Sequence, residues 1–205
     1  MLVSKQRFDI AIERVRVTCE LYSHLTDRLH FTQNNLKDIL RGVIIFSVSA
    51  LDRYIHDIVK VGIIEIYQGK RQITNAYLNF KIPLSHINNL SPIYPYEYYL
   101  SSYIDKINSY KSFQEPDKIK EALSLIWNEQ HKWQKIADKM EITQYELTTI
   151  LKNIVIRRNQ IAHEADIDLK TEQLVYIDLE YTLKTIDFIE KLANAINDII
   201  HNNST

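Results

Sequence analysis

The sequence predicts an all-α helical bundle. Long stretches repeat apolar residues at three- and four-residue steps, which is the period of a helix with one buried face. Only three Gly and four Pro punctuate 205 residues, whereas a many-stranded β protein needs turn residues at short intervals. The balance of 45% hydrophobic and 25% charged residues is that of a chain folding around a core. The length fits one medium domain, expected to span residues 1–205.

The elements follow in order. Phe8, Ile12, Val15, Cys19, Tyr22, Leu25 and Leu29 make one apolar stripe, predicting an amphipathic helix over about residues 4–30. A second helix is expected from Asn34 to Tyr67. It is apolar nearly all round between Val43 and Leu51, so it is the candidate central helix. Gly42 and Gly62 mark candidate close contacts or bends. Residues 68–95 hold Gly69, Pro83, Pro92 and Pro95 and read as an insertion with short helical turns. A tyrosine-rich helix is expected from Tyr96 to Tyr110, so the irregular helical insertion occupies about residues 68–112.

Pro116 suits a first helical turn, and the stripe Ile119, Leu123, Ile126, Trp127, Trp133, Ile136 predicts one helix running to about Met140. Thr143 and Glu146 form a capping-box pattern, so a new helix starts there and runs through His163. Thr171 is expected to open the last helix, which carries Leu174, Ile177, Leu183, Ile189 and Ile196. The polar tail beyond it is expected to fray.

Bulk properties narrow the function. The formal charge of −1 gives no broad basic field for duplex nucleic acid, though an enzyme touching a few phosphates in one cleft needs none. Cys19 is the sole cysteine, so an internal disulfide and a thiolate metal cluster are excluded. The N-terminus carries charges where a signal peptide needs an apolar stretch, and the Val43–Leu51 run is too short to span a bilayer. A cytoplasmic protein without membrane association is the expectation. The histidines at 24, 30, 56, 86 and 201 show no ligand spacing, so no metal and no cofactor are expected.

The chemistry concentrates where the helix begun at Thr143 ends, with Arg157, Arg158, Asn159, His163 and Glu164. Asn159 and His163 are four apart and share a face, and Arg158 has the reach to join them. A guanidinium, a carboxamide and an imidazole converging on one anion suit RNA cleavage by internal attack. That reaction needs a base for the ribose 2′-hydroxyl, an acid for the departing 5′-oxygen and positive charge on the phosphate oxygens. Imidazole serves as base or acid, and a planar guanidinium holds two phosphate oxygens. The helix C-terminus favours cations, which suits an acid or a phosphate ligand. Spacing alone is a weak signal, and a solvated helix end is the competing reading.

The segment Arg158-Asn159-Gln160-Ile161-Ala162-His163 resembles the signature of HEPN domains, an Arg followed by a polar residue with His four to six positions beyond. The wider string Ile154 to Asp166 resembles the RiboL-PSP-HEPN branch. So do the Ala50–His56 stretch and the middle pattern of Phe113, Ile119, Ala122, Leu123 and Trp133. The resemblance spans about residues 36–166, and its specific part is the six-residue motif. It implies a HEPN-type bundle, a homodimer in which two motifs meet at one composite cleft, and metal-independent endoribonuclease activity of the kind used by toxins and antiviral or stress effectors. Carried over by position, Arg158 binds the scissile phosphate, Asn159 orients groups and His163 handles protons. Arg157, Glu164, Asp52 and Arg53 are the candidates to contact RNA or to support the trio from behind. Arg157 also satisfies the spacing, so the choice of Arg158 rests on Asn159 following it. Ala165 stands two after His163, where toxins silenced by adenylylation carry Tyr, so that mode of control is not expected. The partners implied are RNA, a second copy of the chain and a cognate antitoxin or regulatory protein.

The rival from another class is a catalytically inactive HEPN module that binds a protein or nucleotide partner and regulates it, which the low net charge favours. Trp127 and Trp133 beside His131 are read as core rather than as a base-stacking platform. Tyr94, Tyr96, Tyr98, Tyr99 and Tyr103 are read as covering the bundle.

Overall fold

Apolar residues on nearly every side force the second helix inside, and the whole molecule is arranged around it. A computed structural model describes residues 1–31, 33–87, 95–168 and 170–202. In it α2 (Gln33–Tyr67) packs on α1 (Leu2–Ser23), α5 (Tyr96–Asn108), α6 (Pro116–Ser124), α8 (Gln144–His163) and α9 (Leu179–Asn202). Leu40, Val43, Ile44, Leu51, Ile55 and Val59 are fully buried along its length. Tyr94, Pro92 and residues 203–205 lie outside the described residues.

α1 runs antiparallel to α2. Phe8 stacks on Tyr54 at 5.3 Å, while Tyr22 joins Leu40 and Ile44 at the other end. Beyond Ser23, a wider π-type turn over His24–Arg28 ends the helix. The last helix closes the bundle through Ile186, Ile189, Leu192 and Ile196, and Arg16 of α1 donates to Asp187 at 2.8 Å. Gly62 is the position where α2 needs glycine. A Cβ there would lie 2.5 Å from Cγ2 of Ile126 and 2.8 Å from its Cβ, whereas one on Gly42 would meet only Phe46 at 3.8 Å.

The insertion is irregular as expected, with single-turn helices α3 (Asn75–Leu78) and α4 (Leu84–Ile87) before α5. Thr74 caps α3 by accepting from the Tyr77 N–H and donates its hydroxyl to the Leu125 carbonyl, tying insertion to bundle. Tyr103 is buried, with its hydroxyl on the Lys81 carbonyl, and Tyr96 packs on Tyr67 at 4.9 Å.

Two element boundaries correct the sequence-based expectation. The helix expected from Pro116 to Met140 is broken into α6 and α7 (Lys132–Lys139). Residues 125–127 tighten into turns while Ile126 fills the space beside Gly62, and the Glu129 carboxylate accepts from the His131 N–H. Tertiary contacts outweigh an uninterrupted apolar period here. Trp127 and Trp133 are buried on either side of the break, and the Trp133 ring N–H donates to the Pro116 carbonyl.

The last helix begins at Leu179 rather than Thr171. The intervening chain forms a small antiparallel hairpin, β1 (Ile167–Asp168) and β2 (Gln173–Leu174), with Ile167 paired to Leu174. Asp168 accepts from the N–H groups of Lys170 and Thr171, building the turn, and Asp178 accepts from the Tyr181 N–H as the N-cap of α9. Asp and its backbone partners outcompete helix propensity at these positions.

Candidate active site

α8 is set up by its own ends. Thr143 accepts from the Glu146 N–H at 3.1 Å and Glu146 returns the bond to the Thr143 N–H at 2.9 Å, the reciprocal cap read from the sequence. These bonds hold the Glu146 carboxyl below its usual range. Leu147, Leu151, Ile154 and Val155 bury one side of the helix against the core. The opposite side carries Tyr145, Lys152, Ile156 and Asn159.

At the C-terminal end the two adjacent arginines part company. Arg157 is buried and grips Asp166 with both guanidinium nitrogens, one contact at 2.8 Å. Arg41 of α2 reaches the same carboxylate with its Nε at 2.6 Å, and Asp166 is 1% exposed. Both guanidiniums also donate to the Val175 carbonyl, and Arg157 to that of Tyr176, so the segment leading to α9 is fastened to the same knot. Nine residues of continuous helix would place Asp166 on the face opposite Arg157. The chain turns back because Ala165 and Asp166 adopt left-handed backbone, with φ of 53° and 58°. For Ala165 this costs about 1–2 kcal/mol, held in place by the buried ion pairs that follow.

Arg158 points away from that knot and is half-exposed. Its Nη1 donates to Oδ1 of Asn159 at 2.9 Å, and its Nε is buried with no hydrogen-bond partner. Because arginine only donates, the carboxamide oxygen of Asn159 must face it, leaving the amide nitrogen as a donor toward the groove. His163 is exposed one turn further on, on the face of Asn159, at the neighbour distance of about 5–6 Å between Cβ atoms. Glu164 is exposed and ends the helix, with its N–H on the Gln160 carbonyl at 3.0 Å. The end of α8 therefore presents a guanidinium, a carboxamide and an imidazole to solvent, backed by a buried cluster of two arginines and one aspartate.

Of the other sequence-predicted residues, Arg157 is turned into the interior by its ion pair with Asp166. Asp52 and Arg53 are not brought to the motif. Arg41 is level with Arg157, and Asp52 lies eleven residues further along α2, about 16 Å at a helix's rise per residue. The Asp52 carboxylate accepts from the Phe113 N–H at 2.6 Å and from Gln114 at 3.1 Å, and Arg53 pairs with Asp57 at 2.9 Å. Both act within their own neighbourhood, beside His56 and Lys60.

The residues missed by sequence reading are Arg41 and Asp166. Arg41 stands at the edge of the most apolar run in the chain, a position where a cation needs a buried partner, and that was the available signal. Asp166 gave none, because only the left-handed turn brings it back.

Asn159 also lines one end of a groove of about 510 Å³ between α8 and the α6–α7 pair. Against known proteins, the family model described as RiboL-PSP-HEPN matches residues 13–202. No curated protein and no solved structure matches the chain.

Proposed function

The chain belongs to the RiboL-PSP-HEPN family, and from that membership together with the Arg158–Asn159–His163 cluster at the end of α8 we propose that it is a metal-independent endoribonuclease, acting as a toxin or as an antiviral or stress effector. HEPN domains are often ribonucleases. The observation that carries the reading is the divergence of two neighbouring arginines. Arg157 is neutralised by Asp166 in the interior, while Arg158 is kept half-exposed with its hydrogen bond spent on orienting Asn159.

In the proposed reaction the 2′-hydroxyl attacks the adjacent phosphorus, and the 5′-oxygen leaves with a proton. Arg158 and the amide of Asn159 hold the non-bridging oxygens as charge builds on them. His163 transfers one proton. The reaction moves two protons, and one histidine per motif accounts for one, so a site assembled from two chains supplies both groups. Exposed apolar side chains flank the trio and favour such a homodimer. Ile156 is 45% exposed one turn before Asn159, and Ile167 and Leu174, paired on the hairpin, are 41% and 59% exposed.

The test is purified protein with labelled single-stranded RNA, with and without chelator. Cleavage that persists in chelator and leaves a 2′,3′-cyclic phosphate is expected. Arg158→Ala should lower the rate by about 10²–10³-fold and His163→Ala by about 10²–10⁴-fold. Full cleavage by a folded His163→Ala protein overturns the proposal. RNA binding or protein binding without any cleavage would place the chain with the inactive regulatory modules instead.

A further inference from the structure

The groove beginning at Asn159 runs beside the exposed side of α8, and it holds residues for which neither the bundle nor the proposed catalytic step has a use. Tyr145, Lys152, Ile156 and Asn159 recur at three-, four- and seven-residue steps on the α8 side of it, so they form one row along the helix. Tyr145 is 78% exposed, an aromatic face with nothing stacked on it among the described residues. Lys152 is exposed, and no ion pair neutralises it among the described residues. The opposite wall comes from α6 and α7 and carries Lys120 together with Glu115 and Asp117, so the carboxylates outnumber the cation on that side.

We propose that this groove is a binding track for the nucleotides flanking the cleaved bond in single-stranded RNA, running from Asn159 to Tyr145. The inference rests on the ribonuclease reading and assigns the substrate-positioning surface of that same site. Fourteen residues separate the two ends, which is about 21 Å along the helix. At roughly 6 Å per nucleotide for an extended strand, about twice the stacked rise, the track holds about three or four nucleotides.

Charge sets which side of the strand faces which wall. Phosphates lie toward α8, where Lys152 attracts them and the Asn159 amide stands at the end of the row. Base edges lie toward Glu115 and Asp117, whose carboxylates accept from exocyclic amino groups and would repel a phosphate. The last base stacks on the ring of Tyr145. A duplex is a poor occupant, because its bases are already stacked and paired and the chain's net charge of −1 offers no broad field for two backbones.

The experiment measures two quantities on the full chain. One is binding of fluorescein-labelled single-stranded RNAs from two to about eight nucleotides, and of a duplex of the longest, by anisotropy in the cold. The other is kcat/KM for the same strands. Affinity is expected to climb with length to about four nucleotides and then level off, with the duplex weaker than the single strand. Tyr145→Ala should weaken the longer strands about five-fold or more, and Lys152→Glu should remove most of the gain in kcat/KM between the shortest and longest strands. Lys106→Glu, an exposed charge change on α5, serves as the control and should retain that gain. Circular dichroism verifies that each variant is folded.

Failure of the track and failure of the catalytic reading give different results. Length-dependent binding that falls in both variants, with no cleavage by any protein, supports the track and sinks the nuclease. Cleavage whose dependence on length is the same in wild type, Tyr145→Ala and Lys152→Glu sinks the track and spares the nuclease. Absence of any RNA binding, or binding of duplex as tight as single strand, also overturns the track.

Discussion

Asp166→Asn tests whether the end of α8 is held by charge. Asparagine tolerates left-handed backbone about as well as aspartate, so the substitution removes the charge without adding strain at φ 58°. What remains is two buried guanidiniums, Arg41 and Arg157, each less than a tenth exposed and sharing one carboxamide oxygen and the carbonyls of Val175 and Tyr176, with only the solvent-exposed Asp38 carboxylate, 3.2 Å from Arg41, as a counter-charge. Removing one partner of a buried pair leaves uncompensated charge in the interior and costs about 3–5 kcal/mol. For a chain of this size that is a fall in Tm of roughly 6–20 °C. Urea unfolding followed by circular dichroism reads the free energy, and hydrogen exchange over residues 163–176 should show the loss concentrated there. In an Arg157→Met background the same substitution should cost about 1–3 kcal/mol less, since one of the stranded cations is already gone. A loss below about 1 kcal/mol, or strictly additive costs, would refute the account of Asp166 as the counter-charge of both arginines.

Arg157→Lys and Arg158→Lys should part in opposite directions. The first breaks a bidentate buried pair and lowers stability by a few kcal/mol, whereas the second leaves stability within about 0.5 kcal/mol and depresses RNA cleavage, both read on the same preparations. Gly62→Ala drives a methyl into Ile126 and should cost about 1–3 kcal/mol, while Gly42→Ala at an ordinary contact should not destabilise; paired thermal melts compare them. Thr143→Ala should lower Tm at neutral pH by about 2–4 °C through the lost cap. Glu146 is held below its usual range by the bonds from Thr143, so its contribution is complete above that range and disappears as the pH falls through the lowered value. The Tm difference between wild type and Thr143→Ala should therefore narrow as the pH falls, and a difference that widens in acid would count against the reciprocal cap.

The amino-acid order alone determined the all-helical class, the central place of α2 and the start of α8. Each is a property of local period or of a side chain meeting its own backbone within four residues, as Thr143 and Glu146 do. It also made Asn159 and His163 neighbours by helical spacing, while Arg158 entered the group through the resemblance of its motif. Tertiary structure alone decided the break after Ser124, where the space beside Gly62 captures Ile126 against the helical period. It decided too that the hairpin at 167–174 replaces the first turns of the last helix. Most consequentially, it separated Arg157 from Arg158, two neighbours that both satisfy the spacing of the motif. The separation depends on Asp166 and Arg41, the second of which is 125 residues distant from the first. No local pattern encodes that meeting, because it exists only once α2 and α8 are packed and the chain has turned back through left-handed backbone at Ala165.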